Sequence, residues 1–402
     1  MKISIIQPSR NNLKYLKWSY NAIRKNQGNH IVEICVADDF SDRDDTWEWC
    51  MQMMQSDKLF KAIRNEGPNR LGHTILYDRL INDVASYDIC MIYHADMYLC
   101  PGALDAIEQY IAPKRIVSLT RIEPPLHPAG PEKILRDFGT EPESFLEKEL
   151  LEDIPNHALY IKSKITEGVF APWAFIKADF QEIGGHDPLY APQSKEDSDI
   201  FNRFQLNGVK FIQTWEGFVY HMTCRGSRFN PTLTTPGQNS DEWERQNARS
   251  TRNFIRKWGH FVRHDEYMKP IVPGKYDVQF RIQHCDSSHL FHLEPWCQIM
   301  YCDAPQWAID NYIRDEQCNT LYNLNERIYS ITGTIMQDAD IIVTIDGSTF
   351  SWQQDFVYIQ QLSEILDNSI DINDPNLGEF QLGNLRIHVK AVNHYESNLI
   401  YL

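Results

Sequence analysis

Residues 87–104 read YDICMIYHADMYLCPGAL, which has the pattern of a buried strand followed directly by a helix. The apolar run DICMIY is typical of a strand covered on both faces, and Pro101 stands at a position that favours the start of a helix. Between the two lie His94 and Asp96. Side chains alternate along a strand, so we expect the imidazole and the carboxylate to share one face as the strand emerges. The stretch therefore predicts a polar site at a strand end.

The same alternation of strand and helix continues on both sides of this stretch. Further strand-like segments lie at 3–6, 31–37, 59–65 and 115–119, with helical patterns between them. Such a rhythm predicts an α/β fold, a mostly parallel sheet covered by helices, in which ligands bind beyond the carboxyl ends of the strands. Polar residues follow the first two strands at the expected edge: Ser9, Arg10, Asp38 and Asp39.

The pattern predicts two domains, with boundaries at 1–267 and 275–402. A chain of 402 residues is too long for one comfortable core. The stretch MKPIVPGK at 268–275 resembles a linker, and a second, smaller α/β pattern of unknown role follows it. Residues 121–165 are rich in Pro, Glu and Lys, with one helical pattern at 142–153, which favours an insertion or a flexible flap near the site.

Composition and charge exclude several classes of function. A formal net charge of −16 disfavours a general nucleic-acid or anionic-membrane binder. No apolar stretch approaches the roughly 20 residues of a membrane span, and the apolar N-terminal segment is too short for a signal peptide. The nine cysteines form no CxxC pair. We therefore expect reduced thiols in a cytoplasmic protein, with peripheral docking at a membrane left open.

One group of potential metal ligands is an alternative to packing. Six histidines and cysteines fall within nineteen positions, namely His284, Cys285, His289, His292, Cys297 and Cys302. Their spacing matches no standard paired-ligand pattern for zinc, which favours ordinary core and surface roles.

Several motifs, in a fixed order, resemble those of family 2 glycosyltransferases, which have the GT-A fold. VEICVADDFSDRDDT at 32–46 resembles the family's VVDDxSxD signature, and YDICMIYHADMYL stands where the family has its DxD motif. The segment from 170 to 211, with GGHD and then EDSDIFNRFQLNG, is similar to the family's acceptor segment. FVYHM at 218–222 resembles its late histidine, and FIRKWG at 254–259 a common end of the catalytic domain. The resemblance covers residues 1 to about 260.

This resemblance implies transfer of a sugar from a nucleoside-diphosphate sugar, which we expect to be a UDP-sugar, to a glycan or other hydroxyl acceptor. It also implies a divalent metal held by Asp96 and His221. The family's first Asp of DxD is here His94, and whether His94 binds metal, contacts ribose or does neither stays open. An imidazole ligand favours Mn²⁺ over Mg²⁺.

The resemblance further implies a set of donor-binding residues, comprising Pro8, Ser9, Arg10, Asp38, Asp39, Arg70, His94, Arg225 and Arg228. Asp38 and Asp39 would accept hydrogen bonds from base or ribose. Arg10 and Arg70 would meet base or phosphate, and Arg225 and Arg228 would close over the diphosphate. The alternatives are helix capping for the two aspartates and solvent exposure for the arginines.

On the acceptor side, the resemblance makes Asp197 the general base and Glu196 the residue that holds the acceptor hydroxyl, which implies inversion. Trp173 would form an aromatic wall, with Trp215 a second candidate. The alternatives are an ordinary acidic helix start and core packing.

Two rival functions remain at this point. One is a retaining transferase on the same fold. The other is a catalytically degenerate module that binds nucleotide sugar or glycan, with His94 marking a lost DxD motif. The anomeric configuration of the product distinguishes a retaining from an inverting transferase. Turnover with and without Mn²⁺ distinguishes an enzyme from a binding module.

Overall fold

The chain folds into two compact units, each built on its own mixed sheet. The computed structural model describes residues 1–225, 239–369 and 378–402. The first unit comprises 1–246, 264–271 and 401–402, and the second comprises 247–263 and 272–400. The predicted α/β class is confirmed in both units.

The sheet of the first unit has ten strands. They are β1 (Lys2–Ser9), β2 (Ile31–Asp38), β3 (Phe60–Arg64), β4 (Ile89–Ile92), β5 (Met97–Leu99), β6 (Arg115–Glu123), β7 (Lys133–Leu135), β8 (Ile165–Thr166), β9 (Trp173–Ile176) and β10 (Lys210–His221). The main path runs β3-β2-β1-β4-β9-β6-β10-β5, while β7 pairs with β6 and β8 with β10. The strands from β3 to β4 are parallel, whereas β9 is antiparallel to both of its neighbours. The sheet is therefore mixed, with a parallel half.

Helices connect these strands and bury one face each. They are α1 (Leu13–Asn26), α2 (Thr46–Ser56), α3 (Gly72–Arg79), α4 (Ala103–Tyr110), α5 (Glu147–Ile161), α6 (Lys177–Glu182) and α7 (Glu196–Leu206). In α1, for example, Leu16 and Ile23 are buried, as the apolar pattern predicts, and Ser19 is buried with them.

Strand register brings distant segments together at one edge of this sheet. β10 is antiparallel to β5, so His221 lies opposite Met97, and the Met222 amide donates to the carbonyl of Asp96 at 3.0 Å. β10 is also parallel to β6, with Tyr220 opposite Ile122. His221 and Glu123 each follow one residue after this pair, so both lie at the sheet edge where Asp96 lies.

The segment 121–165 is more ordered than the sequence indicates. It completes β6 and contains β7 and α5. Phe138 and Leu150 are buried in an apolar cluster with Tyr220, and the Tyr220 hydroxyl accepts from the Phe138 amide at 3.0 Å. The few apolar residues in this polar stretch are thus enough to pack it against β10.

The sheet of the second unit has six strands. They are β11 (Val278–Gln283), β12 (Ile299–Cys302), β13 (Ile328–Ser330), β14 (Ile341–Asp346), β15 (Gly378–Leu382) and β16 (Leu385–Val389), and they are ordered β13-β12-β11-β14-β16-β15. The first four in this order are parallel, and the last two are antiparallel. The accompanying helices are α9 (Ser287–Leu293), α10 (Gln306–Glu316), α11 (Asp355–Gln360) and α12 (Leu362–Ser369).

The helix α8 (Asp241–Trp258) does not belong to a single unit, in contrast to what the sequence pattern predicts. The pattern placed it wholly in the first domain, but residues 247–258 belong to the second unit. Arg256 explains the difference, because its buried guanidinium binds Glu294 at 2.7 Å and Glu316 at 2.5 Å. A charge buried this deeply must stay with its partners.

The cysteines are free thiols, and the suspected zinc group is not assembled. Cys285, Cys297 and Cys302 lie in the core of the second unit, and His289 takes part in the capping of α9 by Asp286. Within the described ranges, no helix is both long enough and apolar enough to cross a membrane.

Candidate functional site

A cavity of about 250 Å³ opens in the first unit at the carboxyl ends of the strands. This is the edge where α/β sheets bind ligands. The residues that line it are Pro8, Ser9, Arg10, Asn12, Asp39, Arg70, His73, Tyr77, His94, Ala95, Asp96, Arg121, Glu123, His127, Phe170, His221, Thr223 and Cys224.

Three potential metal ligands converge in this cavity. One ligand atom from each of His94, Asp96 and His221 lies within 4.8 Å of the others. His221 Nε2 is 3.4 Å from Asp96 Oδ1, and the two imidazole rings are 5.7 Å apart. His94 and Asp96 meet through a turn between β4 and β5 instead of through strand alternation, because the Met97 amide already bonds back to the His94 carbonyl. The predicted proximity is present, but the predicted local geometry was wrong.

The two histidines have opposite electrostatic surroundings. Burial, with the charge of His221 nearby, lowers the pKa of His94 to about 3, so that ring is neutral at pH 7. The carboxylates of Asp96 and Glu123 outweigh burial at His221 and raise its pKa to about 9. Despite its burial, the pKa of Asp96 is lowered by the His221 charge. When His221 is protonated, it therefore forms an ion pair with Asp96, whose carboxylate is 3.4 Å from Nε2.

Glu123 fixes the orientation of His221, and the sequence analysis missed it. Glu123 Oε1 lies 2.9 Å from His221 Nδ1, which leaves Nε2 turned towards Asp96. Arg121 at 2.9 Å and Lys133 at 3.4 Å also hold the Glu123 carboxylate. Against the effect of burial, the hydrogen bond with His221 and the charges of Arg121, His221 and Lys133 keep the pKa of Glu123 well below its usual range. A carboxylate on the far nitrogen is the usual second partner of a metal-binding histidine.

This donor set fits a divalent cation. His94 offers a neutral ring, His221 has its Nδ1 committed to Glu123, and Asp96 supplies an oxygen. A bound cation would take the place of the proton between His221 and Asp96, as metal ligation by imidazole requires. Two nitrogens and one oxygen suit Mn²⁺ better than Mg²⁺, which prefers oxygen ligands.

Most of the predicted donor-binding residues also line the cavity. Pro8, Ser9 and Arg10 end β1 there, and Arg10 Nε is buried with no hydrogen-bond partner among the described residues. The nearest carboxylate to the Arg10 guanidinium is that of Asp42, at 4.0 Å. An arginine so weakly paired at a cavity wall is suited to an anionic ligand.

Asp39 organises the loop that carries Arg70. Its carboxylate accepts from the amides of Leu71 and Gly72, both at 2.9 Å, and from Asn65 at 2.8 Å. Gly72 has a positive φ of 78°, and a Cβ there would lie 2.0 Å from the Pro192 carbonyl oxygen, so only glycine fits. Asp39 thus reaches the cavity while most of its hydrogen-bonding capacity goes to this loop.

Two predicted donor-binding residues, Asp38 and Arg225, are not in the part of the cavity wall that the structure describes. Asp38 is fully buried, pairs with Arg64 at 3.2 Å and accepts from the Ser41 amide at 3.1 Å, so it is a structural residue. Arg225 is committed to the Thr140 carbonyl at 2.9 Å and to Glu141 at 3.3 Å. Arg228 lies outside the described residues.

Glu196 and Asp197 form the first turn of α7, as predicted. Glu196 is 7% exposed, and its Oε2 has no hydrogen-bond partner among the described residues. Burial and the charge of Asp197 raise the pKa of Glu196 to about 8, and burial also raises the pKa of Asp197. Neither acid lines the cavity around Asp96, although the charges of both, like that of Asp96, raise the pKa of the cavity residue Tyr77 in addition to its burial. Two neighbouring carboxyls of this kind are suited to holding and moving a proton.

The predicted aromatic wall is not exposed to the site. Trp173 has no exposed surface and packs against Phe175, Phe201 and Phe204. Trp215 is 6% exposed and donates from its indole nitrogen to Thr166 at 3.1 Å. Both therefore have the packing role that was the alternative interpretation.

Other cavity residues had no sequence signal. His73, Tyr77, Arg121 and His127 line the cavity, although none lies in a motif that predicted it. Burial and the charge of Arg70 lower the pKa of His73 to about 4. The signal that was available is position: Arg121 and Glu123 lie just after the predicted strand at 115–119, at the end of the observed strand β6.

Comparisons with known proteins support the motif-based resemblance over part of the chain. Residues 4–167 match the family model described as Glycosyl transferase family 2. The match ends before Glu196 and His221. No curated protein matched the sequence significantly.

Solved structures give partial matches. A crystal structure of GalNAc-T7 with UDP, GalNAc and Mn²⁺ is 13% identical, covering 64% of this chain and 48% of that chain with a TM-score of 0.46. Residues 1–349 of TarS from S. aureus are 14% identical, covering 55% and 60% with a TM-score of 0.40. The same protein in complex with UDP-GlcNAc covers 56% and 61%, also at 14% identity, with a TM-score of 0.38. This chain thus spans about half the length of the GalNAc-T7 chain. Its residues 4–167 are a Glycosyl transferase family 2 domain.

Proposed function

We propose that this chain is an inverting, Mn²⁺-dependent glycosyltransferase that moves a sugar from a UDP-sugar to a hydroxyl of a glycan or related acceptor. The observation that carries the proposal is the convergence of His94, Asp96 and His221 in one cavity, with His94 and Asp96 inside the segment that matches family 2. Arg10 and Arg70 in the same wall supply positive charge for a diphosphate.

The metal would be held by His94, Asp96 and His221, with Glu123 orienting His221. When bound, it would neutralise charge on the leaving diphosphate.

The two acids of α7 have different roles in this proposal. Glu196 retains its proton near pH 7 and donates a hydrogen bond to the acceptor oxygen, since its pKa is raised to about 8. Asp197 is then the member that ionises and takes the proton from the acceptor hydroxyl. The acceptor oxygen forms a bond to the anomeric carbon as the bond from that carbon to the diphosphate oxygen breaks. A single displacement of this kind inverts the anomeric centre.

The first test is turnover of UDP-, GDP- and dTDP-sugars with and without Mn²⁺, followed by the anomeric configuration of the product by NMR. We expect Mn²⁺-dependent transfer or hydrolysis of a UDP-sugar with inversion. Retention would replace the mechanism with the retaining one. Binding without turnover, equal with and without metal, would make the chain a degenerate binding module.

The second test separates base from donor binding. Asp197→Asn keeps the shape of the side chain but cannot accept the proton, so transfer should fall by about 10²–10⁴-fold with unchanged UDP affinity. Glu196→Gln, the matched variant, still donates a hydrogen bond and should affect acceptor KM more than kcat. Transfer near the wild-type rate in both variants would remove the base from α7.

A further inference from the structure

A second cavity, of about 730 Å³, lies wholly within the second unit. It is at the carboxyl ends of β11 and β12, with residues of α9 and α10 around it. On α10, Trp307, Asn311 and Asp315 recur every four residues, so they share one helix face. α9 contributes Ser287 and Phe291.

Two aromatic rings at this cavity have much exposed surface. Trp307 is 67% exposed and Phe291 is 44% exposed. The face of an aromatic ring is electron-rich, and it attracts the weakly positive C–H groups on the apolar face of a sugar ring. The Trp307 ring, which lines the cavity and is largely exposed, is suited to that contact, and Phe291 offers the face that Arg252 does not cover.

These walls are fixed in place before any ligand arrives. The Arg252 guanidinium stacks on the Phe291 ring at 4.1 Å and donates to the Phe291 carbonyl at 2.6 Å. The same side chain donates to the Tyr312 hydroxyl and to Glu316, both at 2.8 Å. One arginine thus braces three lining residues, which lowers the entropy lost when a ligand binds.

The polar groups of the cavity favour a neutral ligand that donates hydrogen bonds. Asp286 and Asp315 have side chains that are 65% and 70% exposed, and Asn311 and Asn319 add amides. Planar carboxylates and amides can each bind two adjacent hydroxyls. The part of the chain that the structure describes places no lysine or arginine in this lining, which disfavours phosphates and nucleotides.

We propose that this cavity binds a neutral oligosaccharide, in a site separate from the one around Asp96. The binding itself does not depend on the proposed function. That such a glycan also belongs to the acceptor class does rest on the proposed function.

The test uses the full chain in EDTA without any sugar nucleotide, so that the first cavity does not contribute. Cellohexaose, chitohexaose and maltohexaose are titrated separately and followed by saturation-transfer difference NMR and calorimetry. We expect at least one of them to bind, and Trp307→Ala to weaken it about tenfold or more by removing one wall. The exposure of Trp307 means that this substitution should leave the fold unchanged. Trp352→Ala, at a Trp of the same unit that is 38% exposed and outside the lining, is the matched control and should bind like the wild type.

The proposal is overturned if none of the three oligosaccharides binds, or if Trp307→Ala and wild type bind equally well. Binding of tetramethylammonium that depends on Trp307, with no oligosaccharide binding, would make this a cation site instead. Transfer from a UDP-sugar is measured independently, so loss of this proposal and loss of the proposed function give different results.

Discussion

At the scale of single residues, the site depends on how one imidazole is held. Glu123 lies 98 positions before its partner His221 in sequence and only 2.9 Å away in space. It is 1% exposed on its side chain and is surrounded by Arg121 and Lys133. An ionised, buried acid with two cationic partners is a rigid acceptor, and it determines which nitrogen of His221 faces Asp96.

Replacing Glu123 should therefore weaken metal binding without removing any ligand. Glu123→Gln loses the negative charge, and we expect the affinity for Mn²⁺ alone to fall by about 10–100-fold. Titration followed by electron paramagnetic resonance measures this directly. Glu132→Gln is the control, because Glu132 shares Arg121 and Lys133 but has no contact with His221. Equal Mn²⁺ affinity in Glu123→Gln and wild type would reduce Glu123 to a structural residue.

The residues that sequence reasoning found and those it missed differ in what determines them. His94, Asp96 and His221 each follow a strand pattern inside a motif, so their chemistry and order indicated a shared site. Glu123 depends on the register between β6 and β10, which no local pattern specifies. The predicted donor-binding role of Asp38 is not supported by its contacts. Asp38 and Asp39 are the same residue type at adjacent positions, so the sequence does not distinguish them. Only the packing shows that Asp38 pairs with Arg64.

At the scale of elements, α7 is held in place by buried contacts in its middle and has an unfavourably buried carboxyl group at its first residue. Arg203 is fully buried, pairs with Asp199 at 2.8 Å, and donates to the carbonyls of Ile183 and Gly185. These contacts hold the helix to the preceding turn. Its first residue, Glu196, is buried at a helix N-terminus, where the dipole favours a carboxylate but desolvation disfavours it more.

The raised pKa of Glu196 makes a prediction about stability and pH. Between about pH 5 and 8 the unfolded chain, with an ordinary glutamate, has lost this proton while the folded chain keeps it, so stability falls as pH rises. Above about pH 8 both states are ionised and this contribution to the decline ends. Urea unfolding across this window should show a smaller decline in Glu196→Gln than in wild type. Glu48→Gln, at an exposed glutamate, is the control and should follow the wild type. Parallel curves for Glu196→Gln and wild type would contradict the buried, protonated state.

At the scale of the whole molecule, the two units are not consecutive in sequence. The chain leaves the first unit at 246, returns to it for 264–271, and enters the second again at 272. The linker-like composition of 268–275 gave no sign of this. Pro and Gly mark irregular backbone, whereas membership of a unit depends on which partners bury a side chain, as they do for Arg256.

Truncation tests this arrangement. A chain ending at Lys269 keeps Ile255 and Arg256 but lacks most of the core that buries them, including Glu294 and Glu316. Without that core the apolar side chains of 247–258, among them Ile255, are exposed to water, so we expect this chain to aggregate in size-exclusion chromatography. A chain ending at Gln246 lacks that exposed segment and should be the more soluble of the two. A monomeric chain 1–269 with cooperative unfolding would show that 247–258 does not need the second unit.

The most direct test of the account is calorimetric titration of UDP into wild type and Asp96→Asn, each with Mn²⁺ and with EDTA. An amide cannot balance a divalent cation, so the account predicts that Mn²⁺ increases UDP affinity in the wild type and not in Asp96→Asn. Both proteins should bind UDP similarly in EDTA, and Asp45→Asn, at an exposed aspartate, should behave as wild type. If Asp96→Asn keeps the full Mn²⁺-dependent gain in UDP affinity, the assignment of a metal centre to His94, Asp96 and His221 is wrong.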